Sequence, residues 1–170
     1  MIIRKMTPID VPQVAAIEAQ CFSMPWSEKG FLDSIAREDT IFLVAELDKE
    51  TETKLLDISL EGEKQATTGD RIAGYIGMYT SFDEGEITNV AVSLECRNQG
   101  IGNHLVTAMQ TIAKENDLER IILEVRATNE PALSLYKRKG FKELGIRKNF
   151  YEKPTEDAII MSCEISCVME

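Results

Sequence analysis

The chain predicts an α/β sandwich around one mixed sheet. Two observations carry that expectation. Short apolar runs recur between turn-forming residues, and stretches of helical spacing fall between them. The second half then alternates strand, glycine turn, helix, strand and helix before two closing strands. At 170 residues the chain is long enough for one domain with a full core and short for two, so residues 1–170 are expected to form a single domain.

The elements follow in order. Ile2 and Ile3 read as a short first strand, and Thr7 caps a helix with Pro8 at its first position. Ile9, Val14, Ile17 and Cys21 recur along that helix near helical spacing. Pro25 breaks the chain within Ser23-Met24-Pro25-Trp26-Ser27-Glu28, and Ser27 caps a second helix running to about Arg37. Ile41 to Leu47 is a strand. Asp48 to Asp70 is different in kind, with seven acidic and three basic side chains and one apolar patch, Leu55 to Leu60. This acidic insertion reads as a long excursion between two strands, either inert surface or a partner-binding flap. Ile72 to Tyr79 is a strand, Asp83-Glu84-Gly85 a turn, and Glu86 to Val92 the other arm of the hairpin. After the turn Arg97-Asn98-Gln99-Gly100-Ile101-Gly102, the apolar residues Ile101, Leu105, Met109 and Ile112 mark an amphipathic helix. Arg120 to Arg126 is a strand, Asn129-Glu130-Pro131 opens a helix that Gly140 ends, and Phe141 to about Arg147 and Ala158 to about Ile165 are the last strands.

Composition narrows the class. The chain is 44% hydrophobic and 28% charged, as ordinary soluble globular proteins are. No apolar run approaches the roughly 18 residues of a membrane span, and Met1 to Met6 is not followed by an apolar signal region, so a cytoplasmic location is expected. The four cysteines, Cys21, Cys96, Cys163 and Cys167, form no C-x-x-C pair, and His104 is the single histidine, so no metal site is expected. The net charge of −10 argues against nucleic acid as a partner. It suits a basic peptide steered in by charge, and equally plain solubility. Neither a membrane partner nor an assembly beyond a monomer or weak dimer is expected.

Two features carry chemistry. Glu124 stands as a lone charge in the apolar run Ile121-Ile122-Leu123-Glu124-Val125. A carboxylate there is costly to bury unless it is put to use or paired, with Arg126 or Arg147 as the candidate partners. The glycine turn lets backbone N–H groups approach an anion, and the helix it opens adds a positive dipole end. It lacks the lysine and Ser/Thr of a Walker loop and is not G-x-G-x-x-G, so alone it also reads as an ordinary helix start. Together, a phosphate-bearing carrier beside a carboxylate base suggests group transfer.

The turn R-N-Q-G-I-G, the strand Ile87 to Val92 running into it, and the later segment Asn129-x-x-Ala132-x-x-Leu135-Tyr136-x-x-x-Gly140-Phe141 resemble the GNAT superfamily of acetyl-CoA-dependent N-acetyltransferases. Met24-Pro25-Trp26-Ser27, Leu123 to Asn129, Arg147 to Tyr151 and Glu156 to Met161 resemble its RimI-type branch, which acetylates the N-terminal alanine of a small-subunit ribosomal protein. The resemblance covers the chain except the acidic insertion, which is longer than the branch usually shows. It implies a mixed, mostly antiparallel sheet of about seven strands flanked by about four helices. It implies acetyl-CoA as cosubstrate, no metal, and the basic N-terminal segment of a ribosomal protein as acceptor. Val90, Ala91 and Val92 would meet the pantetheine arm through their backbone. Arg97, Asn98, Gln99, Gly100, Ile101, Gly102 and Asn103 would cradle the pyrophosphate, with Asn129 and Tyr136 also near the cofactor. Glu124 matches the branch's general base and Tyr136 its general acid. Trp26, Asn149, Phe150 and Tyr151 would lie along the peptide slot, and Phe150 stands where a tyrosine is common.

The chemistry agrees with these roles. Only a neutral amine attacks a thioester, and an α-amine, with a pKa of about 7.7–8.0 against about 10.4 for lysine, needs only mild help. A carboxylate acting directly or through water supplies it, and a tyrosine hydroxyl near the sulfur can protonate the leaving thiolate. His104, just past the turn, is placed for phosphates rather than the acetyl group. No cysteine stands as an obvious acyl carrier, so direct attack is expected. Another protein N-terminus or a small amine is the alternative acceptor, and a non-catalytic CoA-binding module the reading from another class.

Overall fold

The computed structural model describes residues 1–48 and 71–165. Nearly all of the acidic insertion, its apolar patch and Cys167 lie outside the described residues. In chain order the elements are β1 (Ile2–Lys5), α1 (Val11–Cys21), α2 (Glu28–Ile35), β2 (Thr40–Leu47), β3 (Arg71–Ser81), β4 (Glu84–Val92), α3 (Ile101–Glu115), β5 (Arg120–Arg126), α4 (Glu130–Arg138), β6 (Lys142–Tyr151) and β7 (Glu156–Glu164). The strands form one seven-stranded sheet in the order β1-β2-β3-β4-β5-β7-β6. Every pair is antiparallel except β4 with β5, which run parallel.

The pleat sorts side chains onto two faces, and each face is covered by helices. On one, Val11, Val14 and Ile17 of α1 and Phe31 of α2 bury Phe42, Val44, Tyr75 and Ala91. On the other, Leu105, Val106 and Met109 of α3 and Leu133 and Tyr136 of α4 pack on Ile76, Met78, Ile121 and Leu123. The first core is aromatic: Phe31 meets Tyr75 edge-on at 5.4 Å and Trp26 at 5.4 Å between ring centroids. Burying each such side chain contributes on the order of 1.5–3 kcal/mol.

One irregularity positions everything that follows. Gly77 pairs with Asn89, but the next residue of β3, Met78, pairs with Ile87, so Thr88 is an extra residue in β4. This β-bulge breaks the alternation: Ile87 packs in the α3-side core, whereas Asn89 and Ala91 turn to the α1 side. A bulge bends its strand and ends regular pairing. The parallel ladder to β5 accordingly runs only from Glu84–Arg120 to Ile87–Leu123. Beyond it the two strands part.

Several boundaries differ from expectation. Pro8–Asp10 is a 3-10 turn, α1 begins at Val11, and Ile9 is exposed rather than on the packed stripe. Thr7 still caps this first turn, with Pro8 following it, and its N–H and hydroxyl donate to Asp10 Oδ2 at 2.8 and 2.9 Å. Burial disfavours the Asp10 carboxylate, but Arg4 at 2.8 Å and the Thr7 donors outweigh it and hold its pKa below the ordinary value. The Ser27 cap forms as expected, accepting from Gly30 N at 3.1 Å, although α2 stops at Ile35. β4 starts at Glu84, inside the expected turn, and β6 runs on to Tyr151. Cys96 and Cys163 are both buried.

Candidate active site

Where β4 and β5 part, a cleft of about 490 Å³ opens. Thr88, Asn89 and Val90 form one wall and Glu124, Val125 and Arg126 the other. Phe22, Met24 and Trp26 of the α1–α2 loop, Asn129, Ala132 and Tyr136 at α4, and Phe150 and Tyr151 at the end of β6 complete it. The fold thus brings Glu124, Tyr136, Trp26, Tyr151, Val90 and Asn129 to one place from five separate segments.

The β5 side is built of charges. Glu124 keeps 19% of its side-chain surface, and Arg147 Nη1 donates to its Oε1. Of the two candidate partners, Arg147 is therefore the one that pairs; Arg126 binds Glu156 at 3.1 Å instead. Arg147 also stacks over Phe150 at 4.5 Å, and Arg126 over Tyr151 at 4.4 Å. Arg126 donates further to the carbonyls of Glu152 and Pro154, each at 3.1 Å, which pins the β6–β7 connection to β5. Burial, helped by the nearby Glu124 charge, pushes the Tyr151 hydroxyl up to about 12.

Tyr136 lies near the end of α4, with its ring 5.6 Å from Phe141. Burial raises its hydroxyl pKa well above the ordinary value, so it holds its proton at neutral pH and stays a donor. Asn149 does not reach the cleft. It is exposed at positive φ, and its N–H donates to Asp157 Oδ1 at 2.9 Å. Its neighbours Phe150 and Tyr151 line the wall.

The glycine turn sits at the start of α3. Gly100 has φ +79° and Asn98 φ +61°, a left-handed pair that turns the chain sharply into the 15-residue helix. Arg97, Asn98, Gln99 and Gly100 are exposed and Gly102 and Asn103 partly so, while the Ile101 side chain is buried in the core. No acidic residue stands from Arg97 to Asn103, and Ser93 Oγ, buried just before the turn, takes no hydrogen bond among the described residues. Exposed amides at a helix N-terminus without a competing carboxylate fit an anion. Ala91 is buried on the α1 side, and the Val92 carbonyl accepts from Arg97 Nε at 3.3 Å. Asn129 Oδ1 caps α4 by accepting from Ala132 N at 3.3 Å. His104 is exposed on α3 outside the cleft, and Cys96 is buried in the α3-side core. Among the described residues no group of three or more His, Cys, Asp or Glu is placed to hold a metal ion.

The sequence reading missed Glu18. It is 1% exposed, lines the cleft, and gathers three donors: Tyr75 OH, Trp26 N at 3.1 Å and Asn89 Nδ2 at 3.2 Å. Burial pushes its carboxyl above the ordinary value of 4.5, against the pull of those three hydrogen bonds. The signal was present in the spacing. Val11, Val14, Glu18 and Cys21 follow the three–four rhythm of a buried helical stripe, so this acid had to face the sheet.

Comparisons with known proteins agree with this architecture. Residues 11–141 match the model of the acetyltransferase (GNAT) family. A Bacillus subtilis protein named as a candidate ribosomal protein bS18-alanine N-acetyltransferase is 34% identical over 160 residues, spanning 94% of this chain and 92% of that one. The crystal structure of the ribosomal-protein-S18-alanine N-acetyltransferase from Escherichia coli superposes with a TM-score of 0.79 at 27% identity, covering 99% of this chain and 96% of that one. The fold is also that of Arabidopsis thaliana NAA60 in complex with acetyl-CoA, with a TM-score of 0.75 at 17% identity over 96% of this chain and 98% of that one.

Proposed function

The chain belongs to the GNAT family of acetyltransferases and is an N-acetyltransferase; from that premise we propose that it uses acetyl-CoA to acetylate the N-terminal α-amine of a ribosomal protein that begins with alanine. The observation that carries the reading is the cleft at the parting of β4 and β5, which gathers the half-buried carboxylate of Glu124 and the buried, protonated Tyr136 beside a glycine-rich helix start. The names of the Bacillus and Escherichia relatives support the acceptor, and the acetyl-CoA complex of a protein with this fold supports the donor.

Acetyl-CoA, when bound, supplies an acetyl group activated as a thioester. The amides of residues 98–103 hold the pyrophosphate, and the backbone of Val90, Ala91 and Val92, freed from β5 by the bulge, lies along the pantetheine. Asn129 borders the same channel. Glu124 takes the proton that the amine gives up, directly or through water, once Arg147 shares its carboxylate with the acceptor. Tyr136 gives its proton to the departing thiolate. Trp26, Phe150 and Tyr151 form apolar walls for the first residues of the acceptor.

The test is acetyl transfer to two short peptides, Ala-Arg-Tyr-Phe-Arg with a free N-terminus and the same peptide N-blocked with a lysine added, with product mass locating the new group. Acetylation confined to the free N-terminus supports the reading. Acetylation of neither peptide by protein that binds acetyl-CoA moves the acceptor to a small amine.

A further inference from the structure

The geometry points to Asn89 as the group that accepts a hydrogen bond from the attacking amine, with Glu18 behind it as the positioning residue that orients and polarises its amide. The inference rests on the acceptor reading above and adds to it a contact on the wall opposite Glu124.

Three observations carry it. The bulge at Thr88 turns Asn89 to the α1 side, where it lines the cleft at 8% exposure. Its Nδ2 donates to Glu18 Oε1 at 3.2 Å, and its Oδ1 is buried with no hydrogen-bond partner among the described residues. Glu18, finally, is surrounded by neutral donors alone, Trp26 N–H, Tyr75 OH and the Asn89 amide, the pattern of a carboxylate that only accepts.

The consequence is directional. A carboxylate that only accepts forces the amide nitrogen toward itself, so Oδ1 is held on the side away from Glu18. An anion on the N–H end of an amide polarises it and makes the oxygen a better acceptor. The attacking nitrogen gains positive charge as the new C–N bond forms, so a hydrogen bond from its N–H to Asn89 Oδ1 strengthens toward the transition state. Buried oxygens without a donor are rare enough to need a reason, and an incoming amine supplies the donor. Glu124 on β5 takes the proton; Asn89 on β4 holds the nitrogen in line.

The experiment compares wild type with Asn89→Ala, Asn89→Asp, Glu18→Gln and the double variant Glu18→Gln/Asn89→Ala, each first checked for a cooperative thermal transition. Steady-state rates are measured with the free N-terminal peptide, and binding with that peptide and with its des-amino analogue, in which hydrogen replaces the amine. Asn89→Ala is expected to lower kcat/KM for the peptide about tenfold or more. It should weaken the amino peptide but not the des-amino one, and leave the KM for acetyl-CoA within about twofold. Glu18→Gln, whose amide can turn Asn89 over, is expected to show the same pattern, and the double variant to be no worse than Asn89→Ala, because both act through one contact. Asn89→Asp keeps an oxygen but sets two carboxylates side by side, and should lose the contact as well. Equal losses for amino and des-amino peptides, or losses that multiply in the double variant, overturn the inference and leave a structural role. A wild-type protein inert toward the free N-terminus overturns the acceptor reading and this inference with it.

Discussion

The two walls of the cleft are built on different physics. On the β4 side one buried carboxylate, Glu18, gathers neutral donors from a loop, β3 and β4, and nothing there is open to salt. On the β5 side the contacts are ion pairs and stacked guanidinium groups, Arg147 with Glu124 and Arg126 with Glu156, at side chains that keep 14% to 54% of their surface. The first arrangement is costly to disturb, because an orphaned buried group loses its full solvation. The second is cheap to rearrange, because exposed pairs are worth about 0–1 kcal/mol. A site that must both hold an amine and release a base from its partner is served by one wall of each kind.

Four measurements break or sharpen that contrast. The largest effect belongs to the chemistry: Glu124→Gln is expected to lower kcat/KM for a free N-terminal peptide by about 10²–10⁴ while shifting the melting temperature little. Tyr136→Phe, which keeps the ring on Phe141, should cost less, and an unchanged rate in both would remove these two residues from the mechanism. Next comes the buried wall. Tyr75→Phe takes one donor from Glu18 and should cost about 1–3 kcal/mol of stability in urea unfolding; a loss below about 0.5 kcal/mol would show that the wall is not tightly satisfied.

The third effect is on pH dependence. Folding raises the Glu18 pKa above its ordinary value of 4.5, so the folded state binds that proton more tightly than the unfolded chain. The contribution of this group to stability is therefore complete below about 4.5 and declines as pH rises through the folded value. Glu18→Gln removes that slope, so its stability relative to wild type should improve as pH rises across the window; a parallel pair of curves would contradict the raised value. The smallest effect is at the charged wall. Arg147→Ala should change stability by less than about 1 kcal/mol, and by still less at high salt. A larger, salt-insensitive loss would mean that the two walls are alike.

Much of the fold was legible in the order of elements, because period and turn chemistry are local. Ser27 caps its helix, Gly140 ends another at φ +86°, and the expected strands all form, Arg120–Arg126 with the expected ends and the others with shifted ones. The boundaries that slipped did so at short range, as at Thr7, whose cap to Asp10 starts a 3-10 turn before α1 rather than α1 itself. Of the candidate residues, Glu124 stood out as a lone charge in a central strand, and Tyr136 only through a resemblance to known sequences. Of the three neighbours expected at the peptide slot, Phe150 and Tyr151 line the cleft and Asn149 does not, since one step along an irregular strand exchanges the side chains that face it.

What the chain determined by itself is therefore the α/β class, the glycine turn with no acid within it, and the presence of an acid where an acid is costly. Tertiary structure alone decided which groups meet. Residues separated by about 70 positions, Glu18 and Asn89, touch because a single extra residue in β4 reverses which side of the sheet Asn89 faces. Arg147 rather than Arg126 reaches Glu124 because β7 pairs Arg126 with Ala158 and Ala158 with Arg147, while Glu156 claims the nearer guanidinium. Such register choices depend on energies summed over a whole sheet, and no local pattern in the sequence states them.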